Sequence, residues 1–348
     1  MDRRVSPLTY VFTVLVALGV LLGATITAPH DRYHRFQSVD FVTTRKADWI
    51  YERLHFDATP VDVALIGTSR MGAGLSSPRI ERRYCEATGR RIRVANLSIP
   101  ATGRNMHYAI AKELYRTKQP ALTIIELNEV EARKPHSAFV LIADASDVLT
   151  APALINTRYL QDMIRLPGRQ LELFFNDALG RAPLNAKFDP ARYHGSHLDR
   201  TQRLKTITGE IISRDKFVPA DELNTLARAR RAGQADLFVL PAPLRRFEYR
   251  LPRIYLNKIR ARAAAAHSDI EFLYLPAYQG ETVFPPALRR ELEITEPIIR
   301  LDDALPENSL MWLDATHVNA NGADRQTEAF AKALIDRRPS LGVEGACD

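Results

Sequence analysis

The chain has 348 residues, enough for one large domain or two modest ones. With 46% hydrophobic and 26% charged residues it can bury a sizeable core, which excludes a disordered or fibrous chain. The formal charge of +7 is spread over scattered arginines, densest at Arg228-Ala229-Arg230-Arg231. No basic stripe interleaved with aromatics is present, so nucleic acid is not an expected partner; an anionic membrane surface or an acidic polymer suits the charge better.

Residues 8–28 read LTYVFTVLVALGVLLGATITA, without a charge. At ~1.5 Å per residue this makes a helix of roughly 31 Å, enough to cross a bilayer's hydrocarbon core. Arg3 and Arg4 precede it. The positive-inside rule then leaves residues 1–30 as a cytoplasmic tip and transmembrane anchor, with everything after Pro29 outside the inner membrane. A signal peptide cleaved after Ala28 is the alternative. The apolar run exceeds the ~7–15 residues of a signal core, which favours an uncleaved single-pass anchor held by membrane lipid. Residues 31–59 follow as a charged stalk with a short helix near Ala47–Leu54.

Beyond the stalk, short apolar runs alternate with helical patterns: 61–66, 92–97, 121–127, 236–240 and 270–275. Continuous apolar stretches bounded by turn residues are what a parallel sheet buried on both faces requires. Ser77-Pro78 opens a helix after the first run and Gly89 closes it. Met106, Ile110 and Leu114 repeat at helical spacing after the second run, until Pro120. The pattern predicts an α/β fold with a doubly wound parallel five-stranded sheet over residues 60–128 and 234–340.

Residues 129–233 separate the third run from the fourth, far longer than an ordinary connection. Ile155, Tyr159 and Met163 suggest one helix face; Leu171, Phe174, Phe175 and Leu179 suggest another. We expect an inserted helical cap over the strand ends, a separate domain away from the site being the alternative. Cys85 and Cys347 are the only cysteines, and an exported location permits a disulfide without establishing one. No zinc-ligand spacing occurs. His194 and His197 read as surface-loop residues, so no metal is expected.

Four stretches at strand ends, or in the closing loop, carry the chemistry. Gly67-Thr68-Ser69-Arg70 follows the first run. Ser98 to Asn105, containing Gly103, follows the second, and Asn128 follows the third. Leu313-Asp314-Ala315-Thr316-His317-Val318-Asn319-Ala320-Asn321-Gly322 precedes the last helix. A serine hydroxyl is a poor nucleophile until a base takes its proton. His317 can be that base, with Asp314 orienting its ring and stabilising the imidazolium. The Ser69 and Gly103 N–H groups and the Asn128 amide are the expected oxyanion donors. Arg70, Arg104 and Asn105 flank the crevice as candidate substrate-binding residues. The chemistry needs no cofactor.

The order Ser69, Gly103, Asn128, then Asp314-x-x-His317 resembles the four blocks of the SGNH (GDSL-type) hydrolase superfamily. The resemblance covers residues 61–128 and 235–334, with the cap unmatched. It implies a flavodoxin-like sheet, Ser69 as nucleophile, Gly103 and Asn128 as oxyanion donors, and Asp314 with His317 as the closing dyad. Two blocks depart from the usual pattern: Gly-Thr-Ser-Arg stands for Gly-Asp-Ser, and Glu129 follows Asn128 where aspartate is usual. Those departures resemble the membrane-anchored branch that includes polysaccharide O-acetylation proteins and the D-alanyl transfer protein. The branch implies a serine acyltransferase or esterase acting on O-acyl groups of a cell-surface or exported polysaccharide. Expected partners are a glycan acceptor and a membrane-bound acyltransferase or polymer synthase. A carbohydrate deacetylase is one alternative, and a non-catalytic scaffold of an exopolysaccharide export complex another. An α/β-hydrolase fits less well, because its Gly-x-Ser-x-Gly elbow would need a glycine at position 71, whereas Gly72 comes one residue late.

Overall fold

The computed structural model describes residues 6–39, 47–101, 103–128, 133–180, 187–205, 210–234, 236–301 and 305–347. The positive-inside pair Arg3 and Arg4, stalk residues 40–46, Glu129 and parts of the expected cap lie outside them. The chain divides into two units: Met1–Val39 with Ser137–Lys187, and Asp40–His136 with Phe188–Asp348.

In the larger unit, five parallel strands form the central sheet: β1 (Val63–Ile66), β2 (Val94–Asn96), β3 (Leu122–Leu127), β4 (Asp269–Tyr274) and β5 (Ile298–Arg300). Their spatial order, β2-β1-β3-β4-β5, is that of a flavodoxin-like doubly wound sheet. Val63 pairs with Val94 and Leu122, and Leu122 with Asp269. Strands β1 to β3 are buried throughout, as expected of strands covered on both faces. Alternate residues Val63, Leu65, Leu122, Ile124 and Leu273 join a core with Ile80, Tyr84, Phe330 and Leu334 from the helices Ser77–Thr88 and Ala320–Arg337. Out-of-phase Thr123 bonds Tyr115 of the helix Arg104–Thr117, which packs against the helix Arg250–Ala265.

The strand order reverses between β2 and β3, on either side of β1. The crevice at the carboxyl ends of β1 and β3 is therefore the switch point where sheets of this kind bind ligands. Ser69 follows β1 and Asn128 follows β3.

Residues 236–240 are a correction: they form no strand. Their backbone is engaged by side chains. Tyr249 donates to the Leu237 carbonyl at 2.6 Å, and the Glu248 carboxylate accepts from Val239 N and Leu240 N at 2.8 and 3.2 Å. Pro241 then breaks any continuation. The fifth strand is instead the three-residue β5.

The stalk expectation is also corrected. The helix Ala47–His55 belongs to the larger unit, with Trp49, Ile50 and Leu54 buried. Trp49 Nε1 donates to the Gly195 carbonyl at 2.9 Å, and Arg53 to the Thr59 and Pro60 carbonyls at 2.7 Å each. The loop holding His194 and His197 is thus seated on this helix. Cys85 and Cys347 are bonded, fastening the C-terminal tail to the helix Ser77–Thr88.

The expected cap is not one body. Residues 137–187 join the N-terminal segment, whereas residues 188–233 belong to the larger unit. This latter part is not wholly helical, since Arg203–Lys205 and Ile211–Ser213 pair as antiparallel strands before the helix Ala220–Gly233. In the smaller unit, the helix Pro7–Ile26 starts with Ser6 capping Leu8 N and Pro7 in its first turn. It has a mean hydropathy of 2.2 and is long and apolar enough to be a membrane span or a signal sequence. The two expected helix faces of the cap, around Tyr159 and Phe174, lie on one helix, Tyr159–Ala178, which packs against it.

Candidate active site

Gly67 ends β1 because nothing larger fits. A Cβ there would lie 2.4 Å from Glu126 Oε2 and 2.9 Å from Met71 Sδ. Thr68 next caps the short helix Ser69–Gly74 through its side chain, which puts Ser69 in the first turn with its N–H outside the helical bonding pattern. Asn96, at the end of β2, donates to the Met71 and Leu75 carbonyls at 3.1 and 3.0 Å and so fixes this helix to the sheet.

The histidine arrives from the other side of the crevice. Trp312 and Val318 form an isolated antiparallel bridge, and Leu313 N donates to the His317 carbonyl at 2.8 Å. The turn between them is closed by Asp314, whose Oδ1 accepts from Thr316 N, Thr316 Oγ1 and His317 N at 2.7, 2.8 and 2.8 Å. Asn319 then caps the last helix, its Oδ1 accepting from Gly322 N at 3.0 Å and its amide donating to the Leu310 carbonyl at 2.8 Å. A side chain at Gly322 would meet the Met311 carbonyl oxygen at 2.2 Å. Asn319 and Gly322 thus build the loop that presents His317.

Ser69 Oγ lies 2.8 Å from His317 Nε2, and His317 Nδ1 lies 2.8 Å from Asp314 Oδ2. Burial would raise the Asp314 pKa, but hydrogen bonds and charge from His317 and the Thr316 donors outweigh it, holding the carboxyl well below the usual range. Asp314 therefore stays ionised and forces the neutral imidazole to carry its proton on Nδ1. The Nε2 lone pair is then aimed at the serine hydroxyl.

Asn128 lines the same cavity, of about 350 Å3, with Thr68, Ser69, Arg70, Ala101 and His317. The remaining wall is Thr316 together with Arg230, Gly233 and Gln234, from the end of the helix Ala220–Gly233. Leu223 and Ala227 seat that helix against Trp312, Ala315 and Val318, so the last part of the expected cap is built into the site.

Gly103 is not among the lining residues. It is the N-cap of the helix Arg104–Thr117, with φ at 153°, and a Cβ would meet the His136 backbone nitrogen at 2.5 Å. Close packing and a positive φ account for glycine here. Arg104 and Asn105 are a correction: both are buried and face structural partners instead of the cavity. Arg104 donates to the Glu126 carbonyl at 2.7 Å and to His107 Nδ1 at 2.8 Å, and Asn105 Oδ1 accepts from His136 N at 2.8 Å. Arg70 does line the cavity, braced on the Leu275 carbonyl at 3.1 Å.

Three residues of the site are absent from the sequence-level expectation. Glu126 is fully buried under the Thr68-Ser69 turn, accepting from Thr68 N at 2.6 Å and Thr68 Oγ1 at 2.8 Å. Burial raises its pKa, opposed by the Thr68 bonds and by Arg70 and Arg104. Arg214, also buried, bonds the Val318 carbonyl and interacts electrostatically with Asp314. Arg230 adds a second arginine to the wall. Glu126 lies two residues before Asn128 and is the one charged residue in the strand Leu122–Leu127, which is its one visible signal in the sequence. Among the described residues, no group of acidic, histidine or cysteine side chains is arranged to hold a metal ion. Neither a protein-family model nor a curated protein sequence matches this chain.

Proposed function

We propose that the protein is a serine acyl-transfer enzyme of SGNH type, held in the cytoplasmic membrane by its N-terminal helix. Its α/β unit faces outward and acts on O-acyl groups of a cell-surface or exported polysaccharide. The observation that carries the reading is the chain of contacts Ser69 Oγ–His317 Nε2 and His317 Nδ1–Asp314 Oδ2, each 2.8 Å, opening on a cavity at the switch point of the sheet. The disulfide agrees with an oxidising compartment.

Ser69 Oγ attacks the acyl carbonyl while its proton passes to His317 Nε2. The negative charge on the carbonyl oxygen is received by the Ser69 N–H and the Asn128 amide. The resemblance adds Gly103 N–H as a third donor. The donor C–O bond breaks, His317 returns the proton to the departing alkoxide, and the acyl group stays on Ser69. An acceptor hydroxyl then attacks as its proton goes to His317, the acyl–Ser69 Oγ bond breaks, and His317 returns the proton to Ser69 Oγ. A sugar hydroxyl as acceptor gives transfer; water gives hydrolysis. Arg70 and Arg230 on the wall favour an acceptor or donor with negative charge near the ester.

The test is turnover of an acyl-ester reporter by the full chain, with and without a polysaccharide acceptor, the glycan being read by mass spectrometry. Transfer to sugar is expected, and Ser69→Ala and His317→Ala each abolish it, the double variant being little worse than either single. Retained turnover in Ser69→Ala removes the nucleophile assignment. Free acid as the sole product with every acceptor leaves an esterase.

A further inference from the structure

The helix Tyr159–Ala178 is built the wrong way round for a helix in water. At ~100° per residue, Leu160, Ile164, Pro167, Leu171, Phe175 and Leu179, which directly follows its last turn, fall within one sector of roughly 120°. In a water-soluble unit that sector would be turned inward. Here the inward face is centred on the opposite side, where Asp162, Leu166, Arg169 and Leu173 are buried. Asp162 and Arg169 on that face have charged or polar neighbours within the unit. Arg158 Nε lies 3.9 Å from Asp162, and Arg169 donates to Glu172 at 3.0 Å and to Ser38 Oγ. The apolar sector is left outside: Leu160 is 74% exposed, Ile164 79%, Phe175 51% and Leu179 58%.

This outward apolar face is continuous with a second one. The helix Tyr159–Ala178 packs against the helix Pro7–Ile26, which has no buried residue of its own. Asp177 Oδ2 accepts from Asp31 N at 2.9 Å, which places the carboxyl end of Tyr159–Ala178 beside the point where the chain leaves the apolar helix. A helix with charged residues among its inward side chains and large aliphatic and aromatic side chains outward, lying against an apolar helix of membrane-spanning length, suits an outer face that meets hydrocarbon.

We infer that the helix Tyr159–Ala178 lies in the outer leaflet of the membrane with Leu160, Ile164, Phe175 and Leu179 in the acyl-chain region, as a second, non-spanning membrane attachment. The partner is the lipid bilayer itself. The inference rests on the membrane-span reading of Pro7–Ile26. A helix of ~30 Å lying in the interface adds a second, laterally extended contact to a single span, which alone leaves a unit free to swivel about one axis.

The test uses the full chain in lipid nanodiscs with no other protein present. Both native cysteines are bonded to each other, so an introduced cysteine is the only thiol available for a nitroxide label. Labels are placed through Ile164→Cys and Phe175→Cys on the apolar sector, Arg165→Cys on its polar edge, and Leu15→Cys in the apolar N-terminal helix. Spin relaxation by oxygen, which concentrates in hydrocarbon, is compared with relaxation by a water-soluble nickel complex. Labels at 164 and 175 should show an oxygen-to-nickel ratio several-fold above that at 165 and close to that at 15. If 164 and 175 match 165 while 15 stays shielded from nickel, the helix is not in lipid and its face awaits a protein, which overturns the inference alone. If 15 is itself open to nickel, the membrane-span reading falls and the inference falls with it.

Discussion

Replacing Asp314 with asparagine tests the tautomer argument without dismantling the loop. Three donors, Thr316 N, Thr316 Oγ1 and His317 N, bond Oδ1 of Asp314, whereas His317 Nδ1 meets both Oδ1 at 3.1 Å and Oδ2 at 2.8 Å. An asparagine carbonyl can replace Oδ1 and keep all three, so the turn should fold unchanged. The amide nitrogen then occupies the place of Oδ2, 2.8 Å from His317 Nδ1. That nitrogen is a donor at the shorter of the two contacts to Nδ1, which favours Nδ1 as acceptor and the imidazole proton on Nε2. Nε2 now donates toward Ser69 Oγ and no longer has a lone pair for the serine proton. The loss should be that of a wrong-tautomer base, ~10⁴-fold in kcat, or about 5 kcal/mol of transition-state stabilisation. The assay is ester-reporter turnover at neutral pH, with thermal unfolding as the control for the loop. Asp314→Asn within tenfold of the parent, and equally stable, would refute the reasoning.

Three further outcomes follow from the surroundings of the site. Glu126→Gln presents an amide donor to one of the two Thr68 donors, so kcat should fall by roughly 10- to 100-fold, the ~1.5–3 kcal/mol of a hydrogen bond to a charged group, with KM little changed; an unaltered kcat removes its positioning role. His107 is fully buried, and burial, then Arg104 and His136, hold its pKa well below 6.5. The unfolded chain, with an ordinary histidine, therefore takes up the proton first as pH falls. Stability should be full above pH ~6.5 and lost below it by up to ~1.4 kcal/mol per pH unit, a slope that urea titrations of His107→Gln should show flattened. Reduction of Cys85–Cys347 should cost about 2–4 kcal/mol and lower the unfolding midpoint by several degrees, whereas no shift would mean the C-terminal tail is held by its other contacts.

What could be read from the sequence was what is local. Four apolar runs lie within two residues of β1, β2, β3 and β4, because strands buried on both faces are predominantly apolar. Ser77-Pro78 and Gly89 mark their helix to within a residue: Ser76 is the cap, Pro78 lies in the first turn and Gly89 stands at φ 68°. Asp314 and His317 were visible as a pair because one turn joins them. Strand β5 was not, since three residues after a proline carry no period. Residues 236–240 have a strand's composition, but only the fold shows that Tyr249 and Glu248 occupy their backbone. Glu126, Arg214 and Arg230 reach the site through contacts distant along the chain, and the misplacement of Arg104 has the same origin: a residue at the start of a helix looks exposed until its neighbours are known.

The central claim is that Ser69 carries an acyl group, and the direct measurement is covalent. Full-length protein incubated with an activated acyl ester, quenched in acid and digested, should carry the acyl mass on the peptide containing Ser69. The adduct should be absent in Ser69→Ala and sharply reduced in His317→Ala. Acylation found elsewhere, or none on Ser69 while the ester is still turned over, would contradict the account.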